Sequence, residues 1–224
     1  MPALSQLAPF LAGLPHTVLR RRGGSFEFDG KRFPYFFHPY NLTWLNERVV
    51  EVPLAGAALD ALPAGARVLE LGNVLAHYGR GGHEVVDKYE RAPGVRNLDV
   101  LELPDDGTRY DAIVSISTVE HVGVDDDTGD PARAAAALGL LRGRLAPGGR
   151  LVVTIPEGYN PALDAALVAG EVAGVRLSAL RRTGPGPRWA QAEPASVLGA
   201  GYDHAGKTAR AVLVVQADGP PAAP

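Results

Sequence analysis

From Arg67 onward the chain alternates short apolar runs with helix-like stretches, and nothing else in it constrains the fold as strongly. The apolar runs predict strands at Arg67–Leu71, Glu84–Asp87, Val95–Asp99, Tyr110–Ser115 and Gly149–Ile155. A helix is expected over Pro131–Leu145, ended by Ala146-Pro147-Gly148-Gly149. Each strand is short and rich in Val, Leu or Ile, the signature of parallel strands covered on both faces. Strands alternating with helices imply right-handed crossovers and an α/β doubly wound sheet. Two further strands are expected at Val175–Arg182 and Ala209–Gln216. The Gly- and Pro-rich stretch between them, which contains Gly184-Pro185-Gly186-Pro187, reads as a loop with little regular structure.

The segment before this pattern is different in kind. Between Arg20 and Trp44 lie Phe26, Phe28, Phe33, Tyr35, Phe36, Phe37 and Tyr40. Phe26-Glu27-Phe28, Asp29-Gly30 and Lys31-Arg32-Phe33 read as a hairpin, because Asp-Gly supplies the positive φ of a type I′ turn. A short helix is expected from Thr43 to Val52, capped by Asn41 or Thr43 and closed by Pro53. The organisation expected is an aromatic cap or lid over 1–62, a sheet domain over 63–218 and a disordered tail over 219–224.

Composition narrows the function classes. With 224 residues the chain is long enough for one well-filled α/β domain. A net charge of −3 gives no reason to expect nucleic acid or an anionic membrane as partner. The cluster Arg20-Arg21-Arg22 reads as a cationic turn. There is no cysteine, so disulfides and thiolate metal sites are excluded, and the histidines show no paired ligand spacing; no metal is expected. Met1–Leu14 lacks the pattern of a signal peptide, so the expected location is the cytoplasm.

In an open α/β sheet ligands bind beyond the carboxyl ends of the strands, where the strand order reverses. Four strand ends here carry polar residues suited to a nucleoside. Glu70, Gly72 and Asn73 follow the first strand, and a glycine there permits close backbone approach. Asp87 ends the second, where a carboxylate can accept from both ribose hydroxyls. Asp99 ends the third beside the Val100 amide, a pair suited to an adenine edge, and Ser115 and Ser117 follow the fourth.

Arg67–Gly72, Glu84–Asp87, Asp99-Val100-Leu101-Glu102-Leu103-Pro104, Tyr110–Ser115 continuing to Glu120-His121-Val122, and Leu145–Leu151 together resemble the motifs of class I S-adenosylmethionine-dependent methyltransferases of the ubiquinone-biosynthesis-like group. More narrowly, Glu70–Tyr78, Val86–Glu90 and Pro156–Asn160 are similar to small actinobacterial methyltransferases of sugar and natural-product pathways. The resemblance implies a Rossmann-like seven-stranded sheet of order 3-2-1-4-5-7-6 with the last strand antiparallel. It also implies S-adenosyl-L-methionine as cofactor and O-methylation of a sugar or secondary metabolite. The first motif departs from the family: Gly72 is followed by Asn73-Val74-Leu75-Ala76-His77-Tyr78 before the next glycine. Asn tolerates left-handed conformations and could hold the turn. The same departure argues against a dinucleotide, whose pyrophosphate needs the approach that G-x-G-x-x-G provides.

Methyl transfer requires alignment of the acceptor and, for a hydroxyl, uptake of a proton. His121 is the candidate base, since imidazole titrates near neutrality, and Glu120 could orient it or act itself. His38, Tyr40, Arg48, Tyr159 and Asn160 are candidates for the acceptor site, Arg48 through its fork geometry unless it pairs with Glu47 or Glu51. Asp125–Asp130 lacks the ligand spacing of a calcium loop and reads as a solvated loop capping the next helix, with Asp130 as N-cap. The expected partners are a small-molecule methyl acceptor and, in a homodimer, a second copy of the chain. The alternatives are a binding module of the same fold without catalysis, a dinucleotide enzyme and an aminopropyl transferase.

Overall fold

A computed structural model describes residues 23–126 and 128–221. Arg20–Arg22, Met1–Leu14, Asp127 and the end of the tail, on which several expectations fall, lie outside the described residues. The strands are β1 Ser25–Phe28, β2 Lys31–Pro34, β3 Val68–Leu71, β4 Glu84–Val86, β5 Val95–Arg96, β6 Tyr110–Ile116, β7 Leu145–Pro156, β8 Arg176–Arg182, β9 Trp189–Ala192, β10 Tyr202–Asp203, β11 Thr208–Ala209 and β12 Ala211–Asp218. The α-helices are α1 Arg48–Asp60, α2 Arg133–Gly143, α3 Pro161–Val168 and the single turn α4 Pro194–Val197.

The central sheet has eight strands in the order β5-β4-β3-β6-β7-β12-β8-β9. β5, β4, β3, β6 and β7 run parallel, whereas β12 is antiparallel to both its neighbours. The mostly parallel α/β sheet is the expected architecture, with β9 as one strand more than the seven expected. Strand order reverses between β3 and β6, so the polar ends of β3, β4 and β6 open on one crevice.

Hydrophobic burial on the two faces uses different partners. One face carries Leu69, Leu71, Ile113, Leu151, Val153, Ile155 and Leu213 against Ala134, Leu138 and Leu141 of α2 and Leu163 and Leu167 of α3. The other carries Val114, Ile116 and Val152 against Val52, Ala55 and Ala58 of α1. Farther along that face Val212, Val214 and Leu180 meet Phe26, Phe28, Phe37 and Trp44. Most aromatics of the N-terminal segment are therefore core.

The hairpin forms as expected: Asp29 and Gly30 both take positive φ, 48° and 70°. It is tied to the far edge of the sheet, where Asp29 bonds Gln191 and Arg176.

Four expectations fail for definable reasons. The helix expected to stop at Pro53 runs through it from Arg48 to Asp60. Proline deprives the carbonyl four residues back of its partner, but the Val49 carbonyl accepts instead from the Phe36 amide at 3.0 Å. Neither Asn41 nor Thr43 caps that helix. They lie in a 3-10 segment, Tyr40–Leu45, and Glu47 occupies the N-cap. The third strand is two residues long, and Asp99 caps the 3-10 turn Val100–Glu102 instead of ending a strand. The presumed loop after β8 holds β9, α4 and the β10–β11 hairpin, its backbone groups paired by turns that Gly and Pro make easy. No helix among the described residues is long and apolar enough to cross a membrane.

Candidate active site

Two adjoining clefts lie at the carboxyl ends of β3, β4 and β6. The larger, about 620 Å³, is lined by Leu71, Asp87, Glu90, Leu98, Asp99, Val100, Ser117, Thr118, His121, Val122, Asp125 and Asp126 with Lys88 and Tyr89. The smaller, about 160 Å³, is lined by Tyr40, Asn41, Arg48, Gly72, Asn73, Val74, His77 and Tyr78. Asp87, Glu90 and Thr118 border both, so the clefts meet there.

The turn after β3 is shaped from behind. Glu70 is fully buried; one oxygen accepts from the Val74 and Leu75 amides at 3.0 and 2.8 Å, the other meets His83 Nε2 at 2.7 Å. Glu70 does not face the cleft, contrary to the expectation, because the amides freed by the turn point inward and a carboxylate is their natural acceptor. Gly72 has φ +85°, and a Cβ there would meet Thr118 Oγ1 at 2.2 Å. Close packing of the β3 and β6 loops thus demands glycine. Asn73 gives its amide to Asp87 at 3.3 Å and its side-chain amide to Glu90 at 2.6 Å.

Asp87 accepts from the Tyr89 and Glu90 amides at 2.8 Å each. A carboxylate offers about four lone-pair sites, so acceptor capacity toward the cleft remains. Asp99 accepts from Leu101 N at 3.0 Å, Lys88 Nζ at 3.0 Å and Arg133 at 3.2 Å. Burial pushes its carboxyl up, but these bonds outweigh it and hold the group below the usual carboxylate range. Asp126 meets the same lysine at 3.4 Å. Glu90, Lys88 and Asp126 escaped sequence reasoning; only their nearness in sequence to Asp87 and His121 pointed to them.

Ser115 and Ser117 part company. Ser115, fully buried, donates to the Leu71 carbonyl at 3.0 Å and ties β6 to β3; it does not reach the cleft. Ser117, at φ +41°, is the strained residue at the strand end, a conformation that clusters at functional sites. Its hydroxyl donates to Glu51 at 2.7 Å and accepts from Arg48, which is also paired with Glu51. Glu47 accepts from the Ala209 amide at 2.9 Å and holds the β10–β11 hairpin against this group. Burial first, then the neighbouring Glu51, raises Glu47 to about 7. The guanidinium of Arg48, despite burial, is held charged by Glu51 and Glu47.

Glu120 lies beside this cluster, fully buried, with neither carboxyl oxygen hydrogen-bonded. Burial, reinforced by Glu51 and Glu47, raises its carboxyl well above the ordinary value. Its Oε1 is 3.7 Å from His121 Nε2, beyond hydrogen-bond range. The group that orients His121 is Asp125, not Glu120. A carboxylate can only accept, so His121 Nδ1–H donates to Asp125 at 2.5 Å and Nε2 keeps the lone pair. Tyr159 donates to the same oxygen at 2.7 Å. Burial raises Asp125, but the bonds from Tyr159 and His121 prevail and lower it. Asp125 and Asp126 therefore contribute to the site. Asp130, expected as the N-cap of α2, lies two residues before the N-cap Ala132 and accepts from the Ala132 amide at 3.0 Å.

The remaining candidates separate clearly. Asn160 is an N-cap, accepting from Leu163 N at 3.1 Å, and is buried away from the cleft. His38 stacks on Phe36 and meets Tyr78 edge-on, and neither cleft is lined by it. Tyr40 stacks on His77 at 4.6 Å and roofs the smaller cleft. Tyr159 joins His121, Tyr202 and His204 in a ring cluster.

No protein-family model matches the chain, and no curated protein matches it. Among solved structures it is similar to the N-methyltransferase NodS of Bradyrhizobium japonicum in complex with S-adenosyl-L-homocysteine. That likeness has 14% identity and a TM-score of 0.48 over 78% of this chain and 87% of the other. A second likeness is to Burkholderia thailandensis 1,6-didemethyltoxoflavin-N1-methyltransferase, 17% identical, TM-score 0.44, covering 98% and 92%. A third is a TehB-like methyltransferase of Corynebacterium glutamicum, 19% identical, TM-score 0.42, covering 72% and 85%. The functional reading rests on the chain's own residues.

Proposed function

We propose that the chain is an S-adenosylmethionine-dependent methyltransferase acting on a small molecule, with His121 taking up the acceptor's proton. The observation that carries this reading is the larger cleft at the β3–β6 reversal. It combines an apolar slot of Leu98, Val100 and Val122 with Asp87 and Asp99 at its rim. An adenine fits such a slot, with its edge toward Asp99 and the Val100 amide, and Asp87 has acceptor capacity for ribose hydroxyls. Gly72, Asn73 and Arg48 in the smaller cleft would hold the amino-acid part.

The charge of the cleft also supports a cationic cofactor over a phosphate-bearing one. Asp87, Glu90, Asp99, Asp125 and Asp126 line it against Lys88, which is itself paired with Asp99 and Asp126. A pyrophosphate would meet like charge. The bound cofactor would supply an electrophilic methyl group; the protein's part is to align the acceptor, exclude water and accept a proton. The Asp125–His121 pair suits that last role, because the tautomer fixed by Asp125 leaves Nε2 basic.

The resemblance read from the sequence implies a hydroxyl acceptor on a sugar or secondary metabolite, and His121 as base serves a hydroxyl or an amine. Calorimetric titration with S-adenosylhomocysteine tests the cofactor reading, with NAD as the control. Saturable binding of the former alone is expected; absence of binding at millimolar ligand sinks it. His121→Ala, assayed at saturating cofactor, should lower turnover by about a hundredfold. Survival within threefold would leave positioning alone at work.

A further inference from the structure

Behind the cleft wall, carboxylates outnumber cations. Glu47, Glu51 and Glu120 are buried around the Arg48 guanidinium, which pairs with Glu51, while half-buried Arg182 reaches Glu47. Glu120 stands out within the cluster because a fully buried carboxyl with two unbonded oxygens is costly and calls for a partner. On the side toward the cleft its neighbours are aromatic. His121 lies 3.7 Å from Glu120, and its ring centroid is 4.3 Å from that of Tyr159. Tyr159 in turn meets Tyr202 at 5.1 Å and His204 at 5.5 Å. Glu120 lies within electrostatic reach of both phenols. Burial leads the rise of Tyr159, followed by the bond to Asp125, and that of Tyr202, to about 12, followed by Glu47; Glu120 acts on both. These rings are partly exposed, and His121 and Asp125 of the same group line the larger cleft.

We propose that the methyl acceptor is a small amine, bound as its ammonium ion against His121, Tyr159, Tyr202 and His204, with the buried Glu120, neutral in the empty site, ionising to balance it. The proposal rests on the cofactor reading above. Aromatic faces attract cations through their quadrupole, and an acidic wall adds to that attraction. The same wall disfavours a hydroxyl acceptor, which must approach an alkoxide as it loses its proton. An ammonium ion gives one N–H proton to His121 Nε2, and the freed nitrogen lone pair forms the N–C bond to the methyl group. The C–S bond breaks with its electron pair left on sulfur. The products are a methylated ammonium ion and a neutral thioether, so charge passes from sulfur to nitrogen and no anion arises.

The experiment uses the full chain loaded with S-adenosylhomocysteine, titrated with benzylammonium, benzyl alcohol and benzoate by calorimetry at neutral pH. Benzylammonium is expected to bind at least about tenfold more tightly than the alcohol, with benzoate weakest. Glu120→Gln, an isosteric change, and Tyr202→Leu should each cut that preference to under about threefold. Thermal melting of each variant separates a lost site from a lost fold. Equal binding of the alcohol, no saturable ammonium binding below about 10 mM, or an undiminished preference in both variants overturns the inference. In those cases bound S-adenosylhomocysteine leaves the cofactor reading standing, whereas failure of S-adenosylhomocysteine to bind removes both.

Discussion

The two walls of the larger cleft handle charge in opposite ways. At the end toward β4 and β5, acids and bases are matched in a partly exposed network: Asp99 and Asp126 share Lys88, and Arg133 closes on Asp99. At the wall beneath Ser117 and His121 the groups are buried and acids outnumber bases: Glu47, Glu51 and Glu120 face Arg48, and Arg182 reaches Glu47. Water screens the first set, so each pair there contributes little to stability and serves mainly to hold a carboxylate in position. The second set is shielded from water, so removing a cation is expensive and removing a proton from a carboxyl is disfavoured. One wall is built to recognise and the other is held at the edge of ionisation.

The strongest way to break the comparison is Arg48→Met. It leaves Glu51 buried without its ion pair and strips a bond from Ser117, and the expected loss is about 3–5 kcal/mol of folding stability. Adding Glu51→Gln in the same chain should recover more than half, because it removes the stranded charge. Urea unfolding of the single and double variants measures both. A single-variant loss under about 1 kcal/mol would mean the inner wall is as well solvated as the outer.

Next comes the pH dependence. Burial leads the rise of Glu47 from 4.5 to about 7, and of Asp164, which caps the Gly158 turn, from 3.8 to about 7. In the unfolded chain these groups lose their protons at lower pH than in the folded one. These two groups therefore make stability fall as pH rises from about 3.8 to 7, levelling off above it, by up to about 8 kcal/mol in sum. The lowered acids Asp99, Asp125 and Asp126 act oppositely, but only as pH falls below their ordinary value near 3.8. Chemical unfolding at pH 5, 6.5 and 8 checks the slope, which Glu47→Gln with Asp164→Asn should flatten. A curve that rises with pH across this window contradicts the buried, protonated state of both groups.

The same contrast marks what sequence could and could not disclose. Asp87 and Asp99 were legible because each interrupts or follows an apolar run, and the sheet topology sends every such end to one crevice. His121 was legible by its place just past β6. The inner wall was legible only in part: Glu120 and the Arg48–Glu51 pair were expected, but not that Ser117 and the Ala209 amide of β11 close on Glu51 and Glu47. Side chains separated by 66 residues, such as Glu51 and Ser117, carry no local signal of their meeting. Pro53 misled for a related reason, since the Phe36 amide that satisfies Val49 comes from another segment. Ser115 and Ser117 looked equivalent in sequence, yet β6 ends at Ile116 and the left-handed turn at 117 sent one into the sheet and the other into the site.

At the outer wall, Asp99→Asn should change stability by no more than about 1 kcal/mol, since Lys88 and Arg133 remain solvated. It should nevertheless weaken S-adenosylhomocysteine about tenfold, because an amide offers one acceptor oxygen where the carboxylate offers two. Calorimetry and a thermal melt of one preparation separate the two effects. An affinity unchanged within twofold would place the adenine edge elsewhere in the slot.

The smallest effect, and the one that sharpens the comparison most, is that of Glu120→Gln on stability. Were Glu120 an ionised member of the Arg48 cluster, its replacement would leave the guanidinium short of a partner and cost several kcal/mol. A carboxyl kept protonated by burial has the shape and polarity of an amide, and neither of its oxygens accepts a bond in the folded chain. The substitution should therefore shift unfolding by less than about 1 kcal/mol near pH 4, where the carboxyl holds its proton folded and unfolded alike. At higher pH only the unfolded chain loses this proton, so the substitution should also remove part of the fall in stability above about pH 4.5, as Glu47→Gln does. A loss above about 3 kcal/mol assigns Glu120 a charge and makes the inner wall a matched network like the outer one.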